Sequence, residues 1–192
     1  MILPIVGYGH PILRTVAIEI DAEYPMLEKL IADMWDTMYA SNGVGLAAPQ
    51  INRAIRLFVI DSTQIFEGME EEEKKKYPKD FGYKQVFINT KIIKLFGEEW
   101  SYNEGCLSIP KVREDVLRNE EVEIEYYDEQ FNKQTQVFNG ITARVILHEY
   151  DHIEGKLFID KLPLLKKKLI KSKLTDITKG KVKVDYKMTF SK

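Results

Sequence analysis

Two histidines four residues apart, His148 and His152, lie in residues 143–155, which read Ala-Arg-Val-Ile-Leu-His-Glu-Tyr-Asp-His-Ile-Glu-Gly. On a helix that spacing stacks both imidazoles on one face, one turn apart, so both can reach a single metal ion. Glu149 stands beside the first histidine, placed to handle a proton of a water on that metal. Val145 and Ile141 carry the same face backwards at spacings of three and four, an apolar stripe under the metal. Gly155 ends the helix, where a residue free to take positive φ is expected. The plainer reading is a half-buried helix whose two histidines are simply hydrogen-bonded to the core.

A metal with two histidines needs further ligands, and the soft-donor inventory is short. It comprises the one cysteine, Cys106, and the third histidine, His10. His10 sits in a Gly-His-Pro turn and reads as a loop residue. A structural zinc cage normally needs four ligands with paired cysteines, which one thiol does not supply. Three ligands, Cys106, His148 and His152, leave one position for water, which is the catalytic arrangement. Cys106 as a nucleophile with a histidine base is a second reading, but it leaves the histidine spacing without a purpose. An inert buried cysteine is a third.

These residues need elements to position them. An amphipathic helix is expected to start between Asp21 and Pro25, with Leu27, Leu30, Ile31, Met34, Trp35 and Met38 at helical spacing, and to stop at Asn42-Gly43. Residues 55–60 read as a buried strand. Residues 62–82 form a polar insert, in which Glu70, Glu71 and Glu72 stand four residues before Lys74, Lys75 and Lys76. Residues 85–89 and 91–96 read as strands with a turn between them. Residues 122–126 alternate apolar and polar, marking a strand with one wet face, and 134–138 return as a hairpin. A lysine-rich helix spans 163–179, with Leu165, Leu169, Ile170, Leu174 and Ile177 as its apolar side, and residues 182–190 suggest a short strand. The pattern predicts an α+β fold, antiparallel sheets packed around a central metal-binding helix, with a C-terminal helix.

At 192 residues the chain is expected to be one domain, 1–192, with no repeat or linker. Its 44% hydrophobic and 30% charged residues describe an ordinary globular protein, and a net charge of −2 gives no global argument for nucleic acid. No apolar run approaches the roughly 20 residues that span a bilayer. The N-terminus does not read as a signal peptide, and a single cysteine suits a reducing compartment, so a cytoplasmic protein is expected.

The chain resembles the peptide deformylase family at three separated motifs. They are Gly43-Val44-Gly45-Leu46-Ala47-Ala48-Pro49-Gln50, then Glu104-Gly105-Cys106-Leu107-Ser108, then His148-Glu149-Tyr150-Asp151-His152. Flanking stretches agree, His10-Pro11-Ile12-Leu13-Arg14 before them and Gly155-Lys156-Leu157-Phe158-Ile159-Asp160 after. Three ordered motifs are a specific combination.

The resemblance implies removal of the N-formyl group from the formylmethionine of newly made polypeptides, releasing formate. It implies a metal-bound water as nucleophile and Glu149 as general acid/base. By similarity the oxyanion is held by the metal, the Gln50 amide and the Leu107 N–H. Val44 and Gly45 would present backbone groups to the peptide, Val145 and Ile141 would form the methionine pocket, and Arg113 would lie near the bound peptide. Glu104 and Arg118 match a supporting ion pair. The family favours ferrous iron in the cell, while Zn²⁺, Ni²⁺ or Co²⁺ suit the same ligands. The lysine-rich helix is open to two readings, a contact with ribosomal RNA or a solvated face. Another metallohydrolase, such as a zinc peptidase, and a silent peptide-binding protein are the rival functions. Departures from the family are Leu147 for a usual glutamine, Asn52 and Lys111 for common glycines, and the long 62–82 insert.

Overall fold

A computed structural model describes residues 1–191. The chain begins with strand β1 (Ile5–Val6), followed by the 3-10 turn Pro11–Arg14. His10 caps that turn, its Nδ1 accepting from the Ile12 N–H at 3.3 Å, and so has a local task. Helix α1 (Leu27–Ala40) buries Leu27, Ile31, Met34 and Met38 along one face. It starts later than the sequence suggests, because Met26 immediately before it is left-handed, φ 58°, and blocks propagation back to Pro25.

Strand β2 (Gly45–Ala47) leads into the 3-10 turn Ala48–Ile51 and strand β3 (Leu57–Asp61). The polar insert carries two short helices, α2 (Thr63–Glu67) and α3 (Glu71–Lys74). Its ion pairs form at a spacing of three, Glu71 with Lys74 and Glu72 with Lys75, not at the expected four. The reason is length: α3 is a single turn, and partners four apart fall beyond its end.

Strand β4 (Lys84–Cys106) is continuous where two strands and a turn were expected. Asn89, at φ 51°, absorbs a register shift between Ile88 and Lys91, which makes a bulge instead of a turn. Its side chain clamps Ile20, accepting from the N–H at 3.0 Å and donating to the carbonyl at 2.7 Å. Strand β5 (Ile109–Tyr127) pairs back along β4, so Leu107 and Ser108 form the tip of a long hairpin. Strand β6 (Lys133–Asn139) precedes helix α4 (Gly140–Ile153), which carries the histidine pair. The 3-10 turn Phe158–Lys161, helix α5 (Leu164–Thr178) and strand β7 (Met188–Thr189) complete the described chain.

The main sheet is antiparallel in the order β2-β3-β4-β5-β6, and β1 pairs in parallel with β7. Helix α4 packs on the sheet, its Ile141, Ala143, Ile146 and Ile153 meeting Phe58, Phe87 and Phe138 in one buried cluster. Each such aromatic or branched side chain contributes about 1.5–3 kcal/mol of burial, which fixes the helix to the sheet. Gly155, at φ 67°, ends that helix as expected. The architecture is α+β with a C-terminal helix. On α5 the apolar side is narrower than its sequence suggests: Ile170 and Ile177 are buried, but Leu165 and Leu169 are 70% and 71% exposed. Among the described residues no helix is long and apolar enough to cross a membrane.

Candidate metal centre

Three elements meet at one point. The end of β4 delivers Cys106, and successive turns of α4 deliver His148 and His152. One donor atom from each of the three lies within 4.8 Å of the others. The Cys106 sulfur is 3.2 Å from His152 Nε2, and the two imidazole rings are 5.2 Å apart. Phe158 stacks on His148 at 5.9 Å and closes one side of the group.

The tautomer of His148 follows from its other neighbour. Its Nδ1 bonds Glu104 Oε2 at 2.9 Å, which leaves Nε2 with its lone pair toward Cys106. Burial opposes a charge on His148, yet the Cys106 sulfur and Glu104 raise its pKa well above the usual imidazole value. Burial, and after it the charge of His148, lowers His152 well below that value. A thiolate with two imidazoles, their donor atoms this close together, suits a divalent cation of borderline softness. The three residues fit a metal.

Glu104 anchors the centre from behind. Arg118 grips it with two hydrogen bonds of 2.7 and 3.0 Å, and Arg144 adds one of 3.0 Å. Burial pushes Glu104 up, but the His148 and Arg118 hydrogen bonds outweigh it and hold the carboxyl well below the usual range. Arg118 also reaches Asp151 at 2.7 Å and the Leu147 carbonyl at 3.3 Å. Two carboxylates thus balance two guanidiniums in a buried network behind His148. Glu104 and Arg118 were legible in the sequence; Arg144 and Asp151 were not. Their positions offered a clue, since Arg144, His148 and Asp151 share a helix face at spacings of four and three. Leu147 gives this network its backbone carbonyl, while its side chain is buried in the core.

Glu149 follows His148 directly on α4. It is 4% exposed, and its Oε2 has no hydrogen-bond partner among the described residues. Burial lifts its pKa to about 7, against the pull of His148. A carboxyl with that value takes and gives protons near neutrality. Gln50, from the 3-10 turn after β2, is oriented by its Oε1, which accepts from the Ala47 N–H at 2.8 Å. Its Nε2 then points at the Cys106 sulfur, 3.6 Å away, and the Ser108 hydroxyl, 3.4 Å away.

These groups open onto a cavity of about 510 Å³. Val44, Gly45, Leu107, Arg113 and Val145 line it, while Ile141 is fully buried in the core behind. Arg113 is held by Asn103, through its side-chain oxygen at 2.8 Å and its carbonyl at 2.6 Å. Val184 and Tyr186, from the chain beyond α5, form a further part of the wall that sequence reasoning did not assign.

The sequence profile of the polypeptide deformylase family matches residues 2–168. The chain is similar to the peptide deformylase of Christiangramia forsetii, with 56% identity over 191 residues, covering 99% of this chain and 96% of that one. It is similar to that of Flavobacterium psychrophilum, 56% identical over 188 residues, covering 98% and 96%. A solved structure of peptide deformylase from Plasmodium falciparum superposes with a TM-score of 0.78 at 35% identity, covering 92% of this chain and 95% of that one.

Proposed function

We propose a mechanism from the premise that the chain belongs to the polypeptide deformylase family and removes the N-formyl group of newly made polypeptides. Cys106, His148 and His152 would hold one divalent ion, whose Lewis acidity brings the pKa of a water down toward neutrality. Ferrous iron is the ion assigned in the cell, and zinc, nickel or cobalt suit the same donors in purified protein.

The formylated peptide enters along β2, the edge strand of the main sheet, where Val44 and Gly45 offer backbone hydrogen bonds. Its methionine side chain lies against Val145, with Ile141 supporting from the core, and Arg113 faces the peptide beyond. Glu149 takes the proton of the attacking water on Oε2, which has no partner among the described residues. It then delivers that proton to the amine nitrogen as the formyl C–N bond breaks. Gln50 Nε2 and the Leu107 N–H meet the oxygen that gains negative charge. Glu104 and Arg118 keep His148 in one tautomer throughout.

The observation that carries this reading is a buried carboxylate, its Oε2 unpartnered among the described residues, beside a Cys/His/His cluster whose donor atoms lie within 4.8 Å of one another. Residues 1–192 act as one catalytic domain, with 62–82 as a peripheral insert. The single thiol suits the reducing cytoplasm, where formylated chains are made. The lysine-rich face of α5 is the assigned side for any contact with ribosomal RNA. The test is a pair of assays on the metal-loaded protein: formyl-Met-Ala should yield formate, and internal peptide bonds should survive. Endopeptidase activity without formate release would overturn the assignment.

A further inference from the structure

The family profile ends at residue 168, yet the chain beyond α5 returns to the site. Strand β7 is tied to β1 by hydrogen bonds from the Ile5 N–H to the Lys187 carbonyl, 2.9 Å, and from the Gly7 N–H to the Thr189 carbonyl, 2.8 Å. Phe190 packs on Gly7 so closely that a Cβ there would fall 2.7 Å from its ring. This anchorage brings Tyr186 to the tip of the β4–β5 hairpin, where its hydroxyl donates to the Leu107 carbonyl at 2.8 Å. On the other side of the tip, the Tyr8 N–H just after β1 donates to the Ser108 carbonyl, also at 2.8 Å. Consecutive carbonyls of the tip are therefore held by one structure, the β1–β7 pair with its flanking tyrosines.

We propose that Tyr186 is a positioning residue for the reaction: through the Leu107 carbonyl it fixes the backbone that aims the Leu107 N–H into the cavity. A two-residue hairpin tip has few internal restraints. Cys106 at the end of β4 holds the peptide that carries the Leu107 N–H, and Tyr186 holds the Leu107 carbonyl, so the φ and ψ of Leu107 are restrained from both ends. Preorganised donors are effective because they need not reorient as charge develops. Val184 and Tyr186 also line the cavity, so the strap that holds the donor is part of the same wall. This inference rests on the role assigned to Leu107 under the deformylase reading.

The variant to make is Tyr186→Phe, which keeps the ring and removes one hydroxyl. A neutral hydrogen bond of this kind corresponds to about a three- to tenfold effect. We expect kcat for formyl-Met-Ala to fall by about that factor, with KM and metal content unchanged. In metal-free protein, amide exchange at Leu107 and Ser108 should quicken by a similar factor while exchange within α4 stays the same. An unchanged kcat, a loss expressed in KM or metal content, or unchanged exchange at the tip would each overturn the proposal. A wild-type protein that releases no formate would instead overturn the deformylase reading, and the exchange measurement would still judge the tether.

Discussion

Gly45 and Glu149 touch in a way that only glycine permits. A Cβ built on Gly45 would lie 2.8 Å from the Glu149 carboxyl carbon and 2.9 Å from its Cγ. The edge strand and the histidine helix meet there without an intervening side chain, which lets the carboxylate and the β2 backbone share one small space. Gly45→Ala is therefore expected to displace Glu149 by a fraction of an ångström to an ångström. A misplacement of that size costs on the order of 100-fold in rate. Steady-state kinetics should show the loss in kcat/KM, while circular dichroism shows an intact fold.

Glu104→Gln removes the one charge that Arg118, Arg144 and His148 share. Two guanidiniums are then left buried with only Asp151 to answer them, a change worth about 3–5 kcal/mol of stability. Loss of the acceptor for His148 Nδ1 should also weaken metal binding about 10–100-fold. Chemical denaturation and competitive metal titration measure the two effects separately.

Lys111 offers a test in the stabilising direction. It adopts φ 61°, and Asn52 adopts φ 62°, at two positions where the family commonly has glycine. A lysine in the left-handed region costs about 1–2 kcal/mol, part of which glycine returns as unfolded-state entropy. Lys111→Gly should raise stability by about 0.5–1 kcal/mol, and Asn52→Gly by less, since asparagine tolerates this region. Denaturant midpoints at matched metal content check both.

How much of this was legible in the sequence depends on the range of the contact involved. The histidine pair follows from helical spacing alone, and Gly155 from the chemistry of helix ends. Cys106 joined them because the chain holds no other thiol. Elements shaped by distant partners were less accessible. Residues 85–89 and 91–96 read as two strands with a turn between them, but the register shift between Ile88 and Lys91, with Asn89 bonded to Ile20, 69 residues away, makes one bulged strand. Leu165 and Leu169 fit an apolar helical stripe, but α5 turns Ile170 and Ile177 into the core with Leu174 half-buried beside them, so tertiary packing overrode periodicity. Arg144, Asp151 and Tyr186 escaped for the same reason, their partners Glu104, Arg118 and Leu107 being 33 to 79 residues distant.

The ion pair of Arg14 with Asp160 gives a pH-dependent prediction. Its two hydrogen bonds are 2.5 and 3.0 Å long and tie the first turn of the chain to the turn after α4. Burial raises the Asp160 pKa, but Arg14 and the Leu157 N–H together bring it below the ordinary value. A depressed folded-state pKa contributes stability above the unfolded value, near pH 4, and loses it as pH falls through the folded value. Both side chains are over 40% exposed, so solvent screening limits the effect to less than about 1 kcal/mol. Asp160→Asn should flatten the fall in stability below pH 4 by that amount, as read from urea denaturation at stepped pH.

The most direct measurement is formate release from formyl-Met-Ala by wild type and Glu149→Gln, each assayed with its metal content determined. The wild type should release formate, and the variant should keep its metal and fold while turnover falls by about 10²–10⁴. A metal-loaded Glu149→Gln that works at the wild-type rate, or a metal-loaded wild type that releases no formate, would contradict it.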